Sequence, residues 1–188
     1  MEMTAHFGYH TCKLDNGFDY IVENIPFQSG GGPNQWLTQG YYFWTDSVHW
    51  AKEWGKPRRR AIGKFSIDLC FQSEVLDLVG NVDHQLEFIK LKELILDKLK
   101  EDKKRKSVTV NQILSKLRRT KDIFPYLAVK AQDGKVIEKI NFVDPHFNRA
   151  KLSLVTRQQL CVFEEAKARL TLCGFIEPSG FAEKMPAA

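Results

Sequence analysis

Seven aromatic residues stand between Trp36 and Gly55: Trp36, Tyr41, Tyr42, Phe43, Trp44, Trp50 and Trp54. They are the residues whose type and spacing point most directly to chemistry. Tyr41 to Trp44, behind Gly40, is a β-prone run. Thr45, Asp46 and Ser47 then offer helix-capping oxygens, and Gly55 suits the position just past a short helix. Trp50 and Trp54 stand four apart, which puts both rings on one helix face. A strand ending in aromatics against a helix carrying two more can form a flat slot for a planar ring, because ring faces stack with an offset. Taken alone, such a cluster reads as core. Other reactive residue types are arranged for less. His6, His10, His49, His84 and His146 lack the spacing of zinc ligands, so no metal is expected. Cys12 follows His10 closely, but a nucleophilic cysteine needs a histidine and an acid brought to it in space. No Gly-Lys-Ser/Thr phosphate loop is present.

Two further segments give the aromatic run a context. Gly8-Tyr9-His10-Thr11 ends a short N-terminal strand. Arg157-Gln158-Gln159-Leu160-Cys161-Val162-Phe163 reads as a late one. With Gly40-Tyr41-Tyr42-Phe43 between them, their order and spacing resemble the ADP-ribosyltransferase superfamily, on the side of diphtheria toxin and the poly(ADP-ribose) polymerases. That group has a strand ending in His-Gly-Thr/Ser, then Gly-x-Tyr-Phe before a helix, then a late strand opened by Glu. Gly40 to Phe43 matches the second motif residue by residue. His10-Thr11 matches the first in part, with Thr11 where the family has Gly. Gln159 stands where the Glu would be. The likeness covers residues 5–80 and 122–165.

The resemblance implies an α+β fold, a split antiparallel sheet with flanking helices and a helical insertion. It implies NAD as the substrate and cleavage of the bond between ribose and nicotinamide. His10 would hydrogen-bond the adenosine-side ribose, and the backbone of Thr11 would bind the nicotinamide amide. Tyr42, reached through Gly40, would stack on the nicotinamide. Trp50 or Trp54 would close the other face, the helical register leaving open which. Gln159 would reach the ribose 2′-hydroxyl and complete a catalytic set with His10 and Tyr42. Glu164 and Glu165 are the alternative carboxylates; Glu165 shares the Gln159 face only if the strand runs on undisturbed. Gln has no charge to serve as general base, so a single ADP-ribose is the expected product. Small free-standing relatives suggest a bacterial toxin or phage-defence role. The alternative is an inactive module that binds NAD-like or nucleic-acid ligands, since a fold can outlast its activity.

These residues need elements to position them. Ala5 to His10 reads as a strand, and Leu14 to Asn24 as a helix ending before Pro26. Gln28 to Asn34 is a Gly- and Pro-rich loop. Ala61 to Leu69 reads as a strand, and Glu74 to Leu78 as a short β or turn segment. Phe88, Leu91, Ile95 and Leu99 recur at helical spacing, so Asp83 to Lys100 is an amphipathic helix. Thr109-x-x-Gln112 is a capping box for a second helix with Val110, Ile113, Leu114 and Leu117. The pair reads as an insertion, 83–120, within a single domain, 1–188. The sheet resumes at Tyr126 to Lys130, turns at Asp133-Gly134 as a hairpin and continues through Val136 to Phe142. Gln158 to Phe163 is the last strand read from the pattern.

Composition sets outer limits. With 188 residues the chain can bury a real core, and 43% hydrophobic with 27% charged residues is ordinary for a globular protein. Four cysteines form no disulfide framework and three lie in apolar runs as expected buried thiols, which points to a reducing, cytoplasmic setting. No signal peptide or membrane span is expected. A net charge of +5 permits an acidic partner or a nucleic acid. Three basic clusters, 58–60, 103–106 and 118–121, read as solvated faces able to hold a polyanion. The expected partners are NAD, a protein or nucleic-acid acceptor, and an inhibitory antitoxin-type protein.

Overall fold

Alternating apolar side chains build the central strands, and the helices cover their two faces. A computed structural model describes residues 6–32, 34–101, 108–120, 122–144, 146–147 and 149–187, the side chains of 98–101 excepted. The fold is α+β. The strands are β1 (His6–Lys13), β2 (Tyr41–Thr45), β3 (Arg60–Ile67), β4 (Val75–Asp77), β5 (Ala128–Gln132), β6 (Glu138–Asn141), β7 (Lys151–Leu154), β8 (Gln158–Val162) and β9 (Leu170–Glu177). The helices are α1 (Gly17–Asn24), α2 (His49–Glu53), α3 (Val82–Glu101), α4 (Val110–Leu117) and α5 (Ser179–Lys184). Seven strands form one sheet in the order β4-β5-β8-β2-β1-β3-β9, and β6 and β7 pair separately.

The sheet is antiparallel except for β4 and β5, which run parallel from Val75↔Ala128 to Asp77↔Lys130. A parallel pair needs a long crossover. Residues 83–120 supply it, as α3 and α4. Leu91 and Ile95 of α3 and Ile113, Leu114 and Leu117 of α4 pack on Leu76, Val129 and Cys161 of the sheet. The capping box is formed: the Thr109 hydroxyl accepts from the Gln112 N–H, and the Gln112 side chain accepts from the Thr109 N–H. The opposite face buries Ile21 of α1 with Tyr41, Phe43, Phe65, Leu160 and Phe175.

Several element boundaries differ from expectation for local reasons. α1 opens at Gly17, because Asn16 (φ 64°) and Gly17 (φ 83°) are left-handed and Leu14 still extends the β ladder through Arg59 O, 3.1 Å away. The expected hairpin at Asp133-Gly134 does not carry the main sheet onward. Both edges of β5 are taken, by β4 and β8, so β6 pairs with β7 instead. β9 was hidden by Gly174 (φ 153°), which breaks its alternation while it pairs with β3. Of the cysteines only Cys161 is buried; Cys12 and Cys173 are half-buried, Cys70 is exposed, and all four are free. Among the described residues no helix is long and apolar enough to cross a membrane, and no group of three or more His, Cys, Asp or Glu is placed to hold a metal ion. Ala5, Lys103 to Lys106 and Lys121 lie outside the described residues.

Candidate functional site

The site begins where the sheet parts. β1 pairs with β3 over eight residues but with β2 over only two, Gly8↔Thr45 and Tyr9↔Trp44. The bond from Leu14 N–H to Arg59 O sets the phase of the ladder, so Cys12 and His10 face β3 with their backbone and Thr11 faces the other way. Beyond Tyr9, β2 has turned aside, and the Thr11 peptide points into the gap. The His10 ring bridges it. Its Nε2 accepts from the Phe27 N–H at 3.2 Å, which leaves the hydrogen on Nδ1, donated to Tyr42 O at 2.8 Å. Burial lowers the His10 pKa to about 4, against the opposing pull of the Tyr42 carbonyl, so the ring is neutral at neutral pH.

A cavity of about 550 Å³ fills the gap, within the usual range for small-molecule sites. His10 and Thr11 contribute from β1, Tyr42 and Trp44 from β2, Gln159 from β8, and Trp54 from beyond α2. Five of the residues singled out in the sequence thus meet at one place: His10, Thr11, Tyr42, Trp54 and Gln159. Gln159 is the most telling. Only 7% of it is exposed, its amide opens on the cavity, and no hydrogen-bond partner engages that amide among the described residues. Tyr42 is half-buried and its hydroxyl is clamped. It donates to Thr38 O at 2.7 Å and accepts from the Leu37 and Thr38 N–H groups at 3.0 and 3.2 Å. Thr38 itself holds φ 130°, an outlier for a β-branched residue.

Two expected residues lie elsewhere. α2 ends at Glu53 and Trp54 is already extended (ψ 139°), so the two tryptophans do not share a helix face. Trp50 is buried beside Trp44, Ala51 and Ile62, with its Nε1–H donated to Thr156 O at 3.0 Å; it does not line the cavity. Trp54 does. The start of α2 also differs. Only the Ser47 hydroxyl serves it, accepting from His49 N–H at 3.2 Å, while the Thr45 hydroxyl is buried and unpartnered among the described residues. Gly40 lies behind the wall. A Cβ there would stand 2.6 Å from Cys161 Sγ and from Val162 O, so glycine permits the close approach of β2 and β8.

The charged candidates are committed outside the cavity. β8 stops at Val162 and a 3₁₀ turn follows, so Glu165 does not share the Gln159 face. It pairs with Arg118 at 3.2 Å, and Glu164 accepts from Gln28. Arg60, expected on a solvated face, is 7% exposed; it pairs with Glu177 at 2.9 Å and donates to Trp54 O at 3.0 Å. Cys12 lines the cavity, but burial pushes its thiol up to about 11, the wrong direction for a nucleophile.

Sequence reading missed the role of α4. Asn111, Ser115 and Arg118 lie on one face of it, at i, i+4 and i+7. Asn111 donates to Gln35 O at 2.8 Å, Ser115 bonds the Thr38 hydroxyl at 2.9 Å and Arg118 donates to Gln39 O at 2.7 Å. The crossover therefore holds the loop that carries Asn34, Gln35 and Trp36 into the cavity wall. Arg118 is thus a brace, not a free docking charge. Asp15 was also missed. It reads as part of the Asp15-Asn16-Gly17 opening of a helix, and it is the only carboxylate among the described cavity-lining residues.

No family model matches the chain, and no solved structure matches it. The uncharacterized protein MJ0359 of Methanocaldococcus jannaschii is 32% identical over 106 residues, 48% of this chain and 48% of that protein. The chain thus spans about half the length of the curated relative it matches.

Proposed function

We propose that the chain is a mono-ADP-ribosyltransferase that uses NAD as its substrate. The observation that carries this reading is the Gln159 amide, which opens on an aromatic cavity beside Tyr42 and Trp54 and has no protein partner among the described residues. An amide that faces a cavity with no protein partner is open to a ligand hydroxyl. The resemblance in the order of the three motifs agrees with the residues that meet there.

The chemistry asks little covalent help from the protein. The bond between ribose C1′ and the nicotinamide nitrogen breaks, and its electron pair leaves with the ring, whose positive charge is discharged. The sugar is left oxocarbenium-like. A lone pair of the acceptor then bonds to C1′, and the acceptor loses its proton. Tyr42 and Trp54 hold the ring, the Thr11 N–H meets its amide, and Gln159 fixes the ribose hydroxyl, so that position rather than acid catalysis lowers the barrier. The neutral His10 ring reaches the second ribose only if that hydroxyl takes the place of the Phe27 N–H at Nε2. Asp15 is the wall carboxylate that receives the acceptor proton. Gln159 carries no charge, so transfer ends after one ADP-ribose, which intact-mass analysis of the acceptor reads directly.

The test is the thermal shift produced by NAD. Wild type shifts upward, and Tyr42→Ala, which removes a ring contact of roughly 1–3 kcal/mol by analogy with base stacking, shifts less. Equal shifts, or none in wild type, defeat the reading. One observation favours a second reading, a module that binds NAD-like ligands without cleaving them. Both nitrogens of His10 are already engaged by backbone groups. Binding without nicotinamide release distinguishes it.

A further inference from the structure

A second hollow, of about 510 Å³, adjoins the first and shares with it Thr11, Cys12, Lys13, Asp15 and Trp54. Its own wall is basic. Lys13 comes from the end of β1. Lys56 and Arg59 come from one tight turn, closed by Arg59 N–H donating to Lys56 O at 3.0 Å, with Arg58 left-handed inside it (φ 64°). Arg60 is withdrawn beneath it to Glu177 and the Trp54 carbonyl. Among the described residues, no ion-pair or hydrogen-bond partner engages the side chains of Lys13, Lys56 or Arg59. Three uncompensated cations thus face one carboxylate, Asp15. The shared wall is the Trp54 indole, 47% exposed. An open ring beside unpaired cations is the arrangement that holds single-stranded nucleic acid, bases on the ring and phosphates on the charges.

We propose that this hollow binds the phosphate backbone of a single-stranded nucleic acid and that this strand is the acceptor. Lys56 and Arg59 each hold a phosphate, and Trp54 takes a base. The common wall then brings the neighbouring nucleotide to the mouth of the aromatic cavity. The strand's role as acceptor rests on the NAD reading; its binding does not. An acidic peptide satisfies the charges equally well but leaves the open indole unused.

The experiment is fluorescence anisotropy of a labelled single-stranded oligonucleotide of mixed sequence, about a dozen nucleotides long, a length set by known site sizes. The full chain is used, with the NAD thermal shift measured in parallel. Wild type binds, and affinity falls with salt. Lys56→Glu/Arg59→Glu weakens binding at least tenfold and flattens the log–log salt slope by about 1.4, two single-strand phosphate contacts. Its NAD shift is unchanged. Lys139→Glu/Lys151→Glu, on the exposed β6–β7 hairpin, binds as wild type. Absence of binding by wild type overturns the proposal. So does equal weakening in the hairpin variant, or displacement by polyglutamate as effective as by unlabelled oligonucleotide. Loss of the NAD shift in the double variant overturns it too, because the hollow then serves the dinucleotide's own diphosphate. Oligonucleotide binding that behaves as stated in a protein that ignores NAD upholds the phosphate site and removes the transferase reading alone.

Discussion

Gln159 presents its amide to the cavity with no protein partner among the described residues, so a ligand hydroxyl can take it. Gln159→Leu keeps the volume and removes the polar atoms. Its melting temperature without ligand is expected to equal or exceed that of wild type, while the upward shift with NAD disappears. A destabilised variant that still responds to NAD would mean that the amide serves the fold. His10 makes the opposite kind of statement. Burial depresses its pKa to about 4 from an ordinary value of 6.5. The unfolded chain therefore takes up this proton first as pH falls. The contribution is fully present above about pH 6.5, is lost progressively down to about pH 4, and amounts to something on the order of 3 kcal/mol. Melts across that window are expected to fall more steeply for wild type than for His10→Gln; parallel curves would show that another group sets the acid limit.

At the scale of elements, α4 governs the cavity from behind. Its Asn111, Ser115 and Arg118 hold the 35–39 loop, and the Tyr42 hydroxyl holds the same loop from within. Asn111→Ala/Ser115→Ala removes two of these bonds without touching the wall. Each is worth about 1 kcal/mol. The expected result is a modest loss of stability and a several-fold rise in the NAD dissociation constant by calorimetry. Unchanged affinity would show that the loop holds its path unaided. α3 and α4 were legible in the sequence because their apolar spacing and capping box are local signals. Their purpose was not, since the loop they brace lies 76 to 79 residues earlier in the chain. Trp54 was misplaced for a similar reason. Its i+4 spacing from Trp50 is helical, but α2 stops one residue short of it. β9 was lost to the irregularity at Gly174, and the β6–β7 pair to the prior claim of β4 and β8 on β5.

At the scale of the whole molecule, the sheet is two halves, β4-β5-β8-β2 and β1-β3-β9, joined by a two-residue ladder. The cavity exists because that join is short. His10 spans the gap where a third pair would stand, and the Thr11 peptide is left facing it. The motifs that carry the resemblance come from both halves: His10 and Thr11 from one, Tyr42 and Gln159 from the other. This convergence could be anticipated from their order along the chain, because each motif marks a strand. The basic hollow beside them could not, because Lys13 and Arg59 become neighbours only through the β1–β3 pairing. The join is proposed above as a site of NAD cleavage. Release of free nicotinamide from NAD, measured chromatographically for wild type, Tyr42→Ala and Gln159→Ala with their folds checked by circular dichroism, tests it most directly. Release by wild type is expected, with at least a fivefold loss in each folded variant, about 1 kcal/mol of lost transition-state contact. No release by wild type, or full release by Gln159→Ala, would contradict it.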